Sequence, residues 1–588
     1  MASSRSPFQT LPMLIVYKVI EYLEGRRRTS FNADIDEHNE TKSVLTPLLA
    51  ISERWRMAAL DSICDNCKFD FDAKRESVEV TYPAWPADFS YPRFRKNHLV
   101  KRVVVVATLW ADLYVGKFCE VIAKPQYESL MFSSATTLVL HLSNSAVNSS
   151  RSSSCDYSCN DLSAVDIQRK AATIARSFFH LTPAVVGIVV SVLPDQVTQH
   201  SQGRQYYYGG QYSQQIDFGG LYGKIVSELC QGSARSVQVF SKRNDSPISF
   251  NLSAVSGLTS ITQGPNISCA PFAKLAYLNA STLKALGLRL ANKTEWTNVI
   301  YGGTTASASY TSLASLTLAI SGISYSIIWA AIKDIAPFPV LSTLDISGGY
   351  PFDDDLLFRG NGGTMKSLRI PFSAIARNAL DRFGVLKRSG VTRMTRVCID
   401  EVTDLDKEYM TRRTDVPIKQ QVHHMLEVAL ALRLWNDTTA FGIFCAVHAA
   451  PSTAVLRCLE FGNVRVYTDS IIQFISVIPS LVSLTCIVCG LGPTIESIAA
   501  RDRPSRLCSK YFPLSKNFRK LGIPYTADTS AEQAAYAAMF LVILCPNFTL
   551  LDISPKLRDP FSREVAWAAF NCPFEAYADS LRRLIYRK

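Results

Sequence analysis

Thiols and imidazoles are the side chains here whose types could do chemistry, and the chain holds 15 cysteines and 8 histidines in 588 residues. Cys64-x-x-Cys67 and Cys155-x-x-x-Cys159 have the short internal spacing of paired zinc ligands. The gap between the pairs is far longer than in a zinc ribbon, and the second pair lies in a serine-rich tract. His423 and His424 are adjacent, so on a helix they face different directions and read as surface residues. Cys486 and Cys489 fall in a leucine-rich stretch where small apolar packing explains them better than ligation. The sequence contains no G-x-S-x-G, no phosphate-binding P-loop, no H-E-x-x-H and no dinucleotide glycine fingerprint. The reading is a non-enzymatic chain with no catalytic residue, no metal and no cofactor.

Composition narrows the class. With 47% hydrophobic and 19% charged residues, the chain can build a large core. The net charge of +12 is modest for this length and permits an acidic partner. No basic stripe interleaved with aromatics stands out, which argues against nucleic acid. Met1–Thr10 is polar and lacks a signal-peptide core, and the longest apolar run, Ala184–Leu193, is too short for a bilayer. The expectation is a soluble protein of the cytoplasm or nucleus, with no membrane partner and its cysteines reduced.

Two blocks at the N-terminus show helical spacing. In the first, Leu14, Ile15, Val19, Ile20 and Leu23 follow Pro12, which suits a first helical turn. In the second, Leu48, Ile51, Trp55 and Ala59 make another stripe. Helices this short cannot bury both stripes alone, so they need a domain behind them or a partner in front. Leu11–Leu23 (LPMLIVYKVIEYL) and Leu48–Leu60 (LLAISERWRMAAL) together resemble an F-box, the motif that docks on the Skp-type adaptor of a cullin–RING ubiquitin ligase. The chain departs from that pattern at Leu14, where the family carries Glu, and in a polar insertion at 24–43 containing Arg26, Arg27 and Arg28. The resemblance implies adaptor contacts from Leu11, Pro12, Ile15, Ile20, Leu23, Leu48, Ile51 and Trp55. The expected N-terminal motif is 1–65, with a linker at 66–98.

The remainder repeats. Phe338–Ile346, Ile478–Cys486 and Cys545–Ile553 align without gaps, each as Pro, then an apolar residue, then Leu three later, then an apolar residue two later. Apolar helical stretches precede them at Ile327–Ile335, Ile471–Ile478 and Ala534–Leu544. Period two at the end of each segment means a short strand with one buried face, and Pro turns the chain into it. Looser copies start at Val100, Ala135, Leu283, Leu313, Met365, Leu456 and Phe518. Leu481–Leu491 (LVSLTCIVCGL) resembles a full leucine-rich-repeat signature, with Cys486 in the core and Cys489 at the ladder position.

The expected fold is therefore α/β: a helical F-box-like motif, then an irregular leucine-rich-repeat solenoid over 99–588. Parallel strands form the concave face and helices the convex one. Serine-rich 143–161 and Gly/Gln/Tyr-rich 195–223 read as mobile insertions. Strand residues between the core leucines should face outward: Ser342, Thr343 and Asp345; Val482, Ser483 and Thr485; Arg519, Lys520 and Gly522. Of these, Asp345, Thr485, Arg519 and Lys520 are the candidate contacts for a protein client. The family resemblance implies a substrate-recognition subunit of an SCF-type ligase, joined to a Skp-type adaptor and the cullin core. The competing reading is a leucine-rich scaffold whose F-box is a relic, without a ligase role.

Overall fold

The computed structural model describes residues 66–72, 77–81, 100–108, 131–143, 164–192, 218–241, 255–321, 336–348, 364–370, 395–399, 456–490, 514–523, 531–548 and 550–553, with single positions or pairs elsewhere. The chain divides into two compact units, Met1–Asn279 and Ala280–Lys588. This boundary falls inside the stretch read from sequence as one repeat domain.

In the first unit the strands are β1 (Asn66–Asp72), β2 (Ser77–Thr81), β3 (Arg102–Thr108), β4 (Thr137–Ser143), β5 (Gly187–Val192), β6 (Ser236–Ser241) and β7 (Ser260–Gln263). Helix α1 (Ala164–Leu181) precedes β5, α2 (Phe218–Gln231) precedes β6, and α3 (Cys269–Leu278) follows β7. β3 to β7 lie side by side in chain order and parallel, β1 pairs parallel to β3, and β2 folds back antiparallel on β1. Residues 66–72 and 77–81 are thus sheet strands within the stretch expected to be linker. A hairpin so short carries no repeat signature, so periodicity could not find it.

The second unit runs β8 (Ala285–Leu290), β9 (Ser315–Ile320), β10 (Thr343–Gly348), β11 (Ser367–Ile370), β12 (Arg396–Ile399), β13 (Cys458–Tyr467), β14 (Ser483–Gly490), β15 (Lys520–Ile523) and β16 (Leu550–Ile553). All neighbours are parallel and in chain order. Among the described residues the helices are α4 (Lys293–Tyr301), α5 (Thr468–Val477) and α6 (Ala531–Leu544). Each unit is therefore an α/β, solenoid-like array of strand repeats, as the recurring pattern predicts.

Register explains why the pattern recurs. Numbering each repeat so that its leucines fall at positions one, four and six, the position-four residues align across the second unit. They run Leu286, Leu316, Leu344, Leu368, Val397, Leu459, Leu484, Leu521 and Leu551. Those from Leu286 to Leu521 are at most 2% exposed. In the first unit the same row is Val103, Leu138, Ile188, Val237 and Ile261, again buried. The three segments that align without gaps do hold equivalent strand positions. Copies at β5, β6, β7 and β12 escape a leucine search because they use Val185-x-x-Ile188-x-Val190, Ala234-x-x-Val237-x-Val239, Leu258-x-x-Ile261-x-Gln263 and Met394-x-x-Val397-x-Ile399.

Strand entry is a tight turn. The N–H of Leu481 donates to the Ile478 carbonyl at 3.0 Å, Phe548 to Cys545 at 3.0 Å, Leu341 to Phe338 at 3.4 Å and Val185 to Thr182 at 3.1 Å. Pro479, Pro546, Pro339 and Pro183 fill the second turn position, where a fixed φ near −65° is already correct. The helical stretches at Ile471–Ile478 and Ala534–Leu544 match α5 and α6. Ile327–Ile335 lies outside the described residues.

Of the two expected insertions, Ser143 ends β4 and residues 218–223 open α2, so those parts are ordered structure and not loop. Residues 144–161 and 195–217 lie outside the described residues, as does the 24–43 insertion.

Two substitutions test this packing. Leu484→Ala removes a side chain with no exposure and should cost about 2–5 kcal/mol in urea unfolding followed by far-UV circular dichroism. Gly348 has φ of 81°, and a Cβ there would sit 2.0 Å from the Ile320 carbonyl oxygen. Gly348→Ala should therefore destabilise by more than about 1 kcal/mol, whereas the same change at Gly257, φ 79° with open space around it, should cost only the backbone strain of about 1 kcal/mol.

Candidate binding surface on the outward strand face

Positions three and five of each strand point away from the buried leucines. In the second unit they give the sheet a polar outer face. Asp345 on β10 is half-buried and faces Arg369 on β11, its register partner, at 3.8 Å. Arg396 on β12 reaches diagonally to Glu460 on β13, Nη2 to Oε2, at 2.8 Å. Both pairs cross between neighbouring strands, and both are partly exposed, so they orient side chains more than they stabilise the fold.

Cys458 on β13 sits inside this cluster. It is the register partner of Arg396 and Ser483, and its thiol donates to Glu460 Oε1 at 3.5 Å. Burial, with the Glu460 carboxylate adding to it, pushes the Cys458 thiol up to about 11. The hydrogen bond to Glu460 holds the Arg396 guanidinium further into its charged form. At neutral pH the cluster is a cation, a carboxylate and a neutral thiol. It is a polar surface patch and lacks the thiolate a nucleophile needs.

The sequence-derived candidates fare unequally. Asp345 belongs to the charged cluster. Thr485 is half-buried on β14, Arg519 is exposed just before β15, and Lys520 is half-exposed at its start. Gly522, expected to face outward, is buried: a Cβ there would meet Thr485 Oγ1 at 2.6 Å, so Thr485 lies across it. Arg369, Arg396, Cys458 and Glu460 were not singled out. Arg396 follows from the Met394-x-x-Val397-x-Ile399 pattern once valine is accepted at position four.

At the N-terminus, the N–H groups of Ile15 and Val16 both donate to the Pro12 carbonyl, at 2.9 and 3.2 Å. Pro12 is exposed and Ile15 is 44% exposed, while Val16 is fully buried. The apolar stripe was drawn through Ile15 and missed Val16, which is the inward residue. Trp55 is helical and 4% exposed. Its indole is buried. Leu11, Ile20, Leu23, Leu48 and Ile51 lie outside the described residues.

Cys486 is buried at a core position, as its place in the repeat predicts. Cys67 lies in β1 opposite Val103; Cys64, Cys155, Cys159, His423 and His424 lie outside the described residues. Among the described residues, no cluster of three or more His, Cys, Asp or Glu could hold a metal, and no helix is long and apolar enough to cross a membrane.

By architecture these are leucine-rich-repeat-like parallel sheets. No family model matches the sequence, and no curated protein does. Among solved structures, a chain of a crystal structure of the Rad7 and Elc1 complex in yeast aligns over 93% of this chain and 95% of that one, at 11% identity and a TM-score of 0.32. A likeness this distant carries no argument about function.

The thiol's environment gives a direct test. Iodoacetamide labelling of Cys458, followed by mass spectrometry from pH 7 to 11, should rise only toward the top of that range. Glu460→Gln removes a nearby negative charge and should bring labelling to lower pH.

Proposed function

We propose that this chain is a substrate receptor of an SCF-type cullin–RING ubiquitin ligase. Its N-terminal helices dock a Skp-type adaptor and its repeat surface holds a protein client. The observation that carries the reading is the pairing of two features in one chain. One is a two-block F-box-like sequence whose first helix starts at Pro12 and leaves Pro12 and Ile15 exposed. The other is a long run of parallel strand repeats with a polar outer face. In such a receptor the chain supplies no catalytic group. It raises the local concentration of a client lysine near the ubiquitin-charged carrier. Its site of action is then the cytoplasm or nucleus.

The buried Val16 and Trp55 support a motif anchored on the chain's own fold, with an apolar edge turned outward. The scaffold reading is favoured by Leu14 and the 24–43 insertion, both departures from a working F-box.

Co-precipitation with a purified Skp-type adaptor decides between them. The wild-type chain should bind at micromolar concentration or tighter. Pro12→Ala combined with Ile15→Glu should weaken binding by at least about tenfold without changing the circular dichroism spectrum, because both side chains are exposed. A folded wild-type chain that does not bind the adaptor would leave the scaffold reading standing.

A further inference from the structure

The register that stacks the leucines also stacks the residues at position two, one step before each strand. In the second unit four of these are cations; Lys284 stands apart before β8, and three lie on alternate strands: Lys366 before β11, Arg457 before β13 and Arg519 before β15. All three are exposed, and among the described residues none has an ion-pair partner. Lys516, in the turn leading to β15, is exposed beside them. Across β8–β15, positions two and three hold no carboxylate. Asp345 and Glu460 stand further along the strands, at position five, and each already faces a guanidinium. The strand entries of β11–β15 therefore form a cationic rim with no ion-pair partner among the described residues.

We infer that this rim binds an extended acidic segment of a partner protein, laid across the strand entries. Parallel strands lie about 4.8 Å apart, so cations on alternate strands recur about every 10 Å. A chain in the polyproline II conformation advances about 3.1 Å per residue and turns once every three residues, so a carboxylate at every third residue meets every cation. Between the cations lie Thr395 and Val482 at position two, and Ser367 and Ser483 at position three. These small side chains let a peptide backbone approach. No aromatic ring occupies either row across β8–β15, so single-stranded nucleic acid lacks the stacking platform that carries its binding. The inference deepens the receptor reading and rests on it only for the partner's role as client.

Fluorescence anisotropy on the full chain without adaptor tests it, with a labelled peptide of three Glu-Gly-Ser repeats as probe. The peptide should bind at low ionic strength and weaken as salt is raised. Lys366→Glu, Arg457→Glu and Arg519→Glu combined should reduce affinity by on the order of tenfold or more. A charge-matched control, Arg176→Glu, Lys274→Glu and Lys293→Glu, alters exposed positions elsewhere and should leave binding within about twofold. A Gln-Gly-Ser peptide should not bind, and one with three contiguous glutamates should bind more weakly. Equal loss in both triple variants, equal binding of the contiguous peptide, or tighter binding of a twelve-nucleotide oligothymidine would each overturn the inference. So would a wild-type chain that ignores the acidic peptide. Circular dichroism confirms that the rim variant is folded. Adaptor co-precipitation of the same variant should be unchanged, so failure of adaptor binding with intact peptide binding removes only the receptor reading.

Discussion

One backbone arrangement sets everything else: at strand entry, the carbonyl of the position-two residue accepts two N–H groups from the next repeat. Lys284, Ala314, Ser342, Lys366, Thr395, Arg457 and Val482 do this in the second unit, and Lys101, Thr136, Val186 and Arg235 in the first. The separations all fall between 2.7 and 3.1 Å. The bond involves no side chain, so it tolerates lysine, alanine or threonine alike. What it requires is an N–H at both following residues, and no proline occupies either position. It pins each strand against its neighbour. A slip of one residue would turn every buried leucine outward.

The same pinning creates the surface. Side chains that share a position number become lateral neighbours although dozens of residues separate them in sequence. Asp345 meets Arg369 in this way, and Arg396 reaches diagonally to Glu460 across 64 residues. Each pair leaves both groups partly exposed, so their worth to folding is small. Their value is in fixing where charge sits. Asp345 and Glu460 stand at position five, each against a guanidinium, and Lys366, Arg457 and Arg519 line up one step before their strands.

Between strands the repeats are irregular, and polar side chains settle the backbone there. The Asn279 carboxamide accepts from the Leu258 N–H and donates to the Val255 and Leu275 carbonyls, each at 2.9 Å. It joins the end of α3 to the entry of β7 within the first unit. Gln263 holds a core position on β7 and donates to the Ile267 carbonyl. In the second unit, Tyr310 is fully buried, stacks obliquely on Phe338 with centroids 5.2 Å apart, and donates its hydroxyl to the Val299 carbonyl at 2.7 Å. These satisfy buried backbone groups that a longer helix would otherwise bond.

The strand repeats were legible in the sequence, because apolar residues at positions one, four and six must be buried wherever they recur, and Pro before them stops one element and turns into the next. The leucine-poor copies at β5, β6, β7 and β12 carry the same physics largely in valine, isoleucine, alanine and methionine, and the ladder hydrogen bonds to their neighbours reveal them. The N-terminal stripe was half legible: periodicity marks apolar positions but does not say which one a neighbouring element covers, and Val16 is inward where Ile15 is not. The sequence pattern placed Asp345 and Arg519 on the outer side, but which charges meet was decided by tertiary structure. Arg396, Arg457 and Glu460 look like scattered surface charges along the chain. They form a cluster and a rim because parallel register sets residues from separate repeats side by side at about 4.8 Å, a distance that sequence separation does not encode.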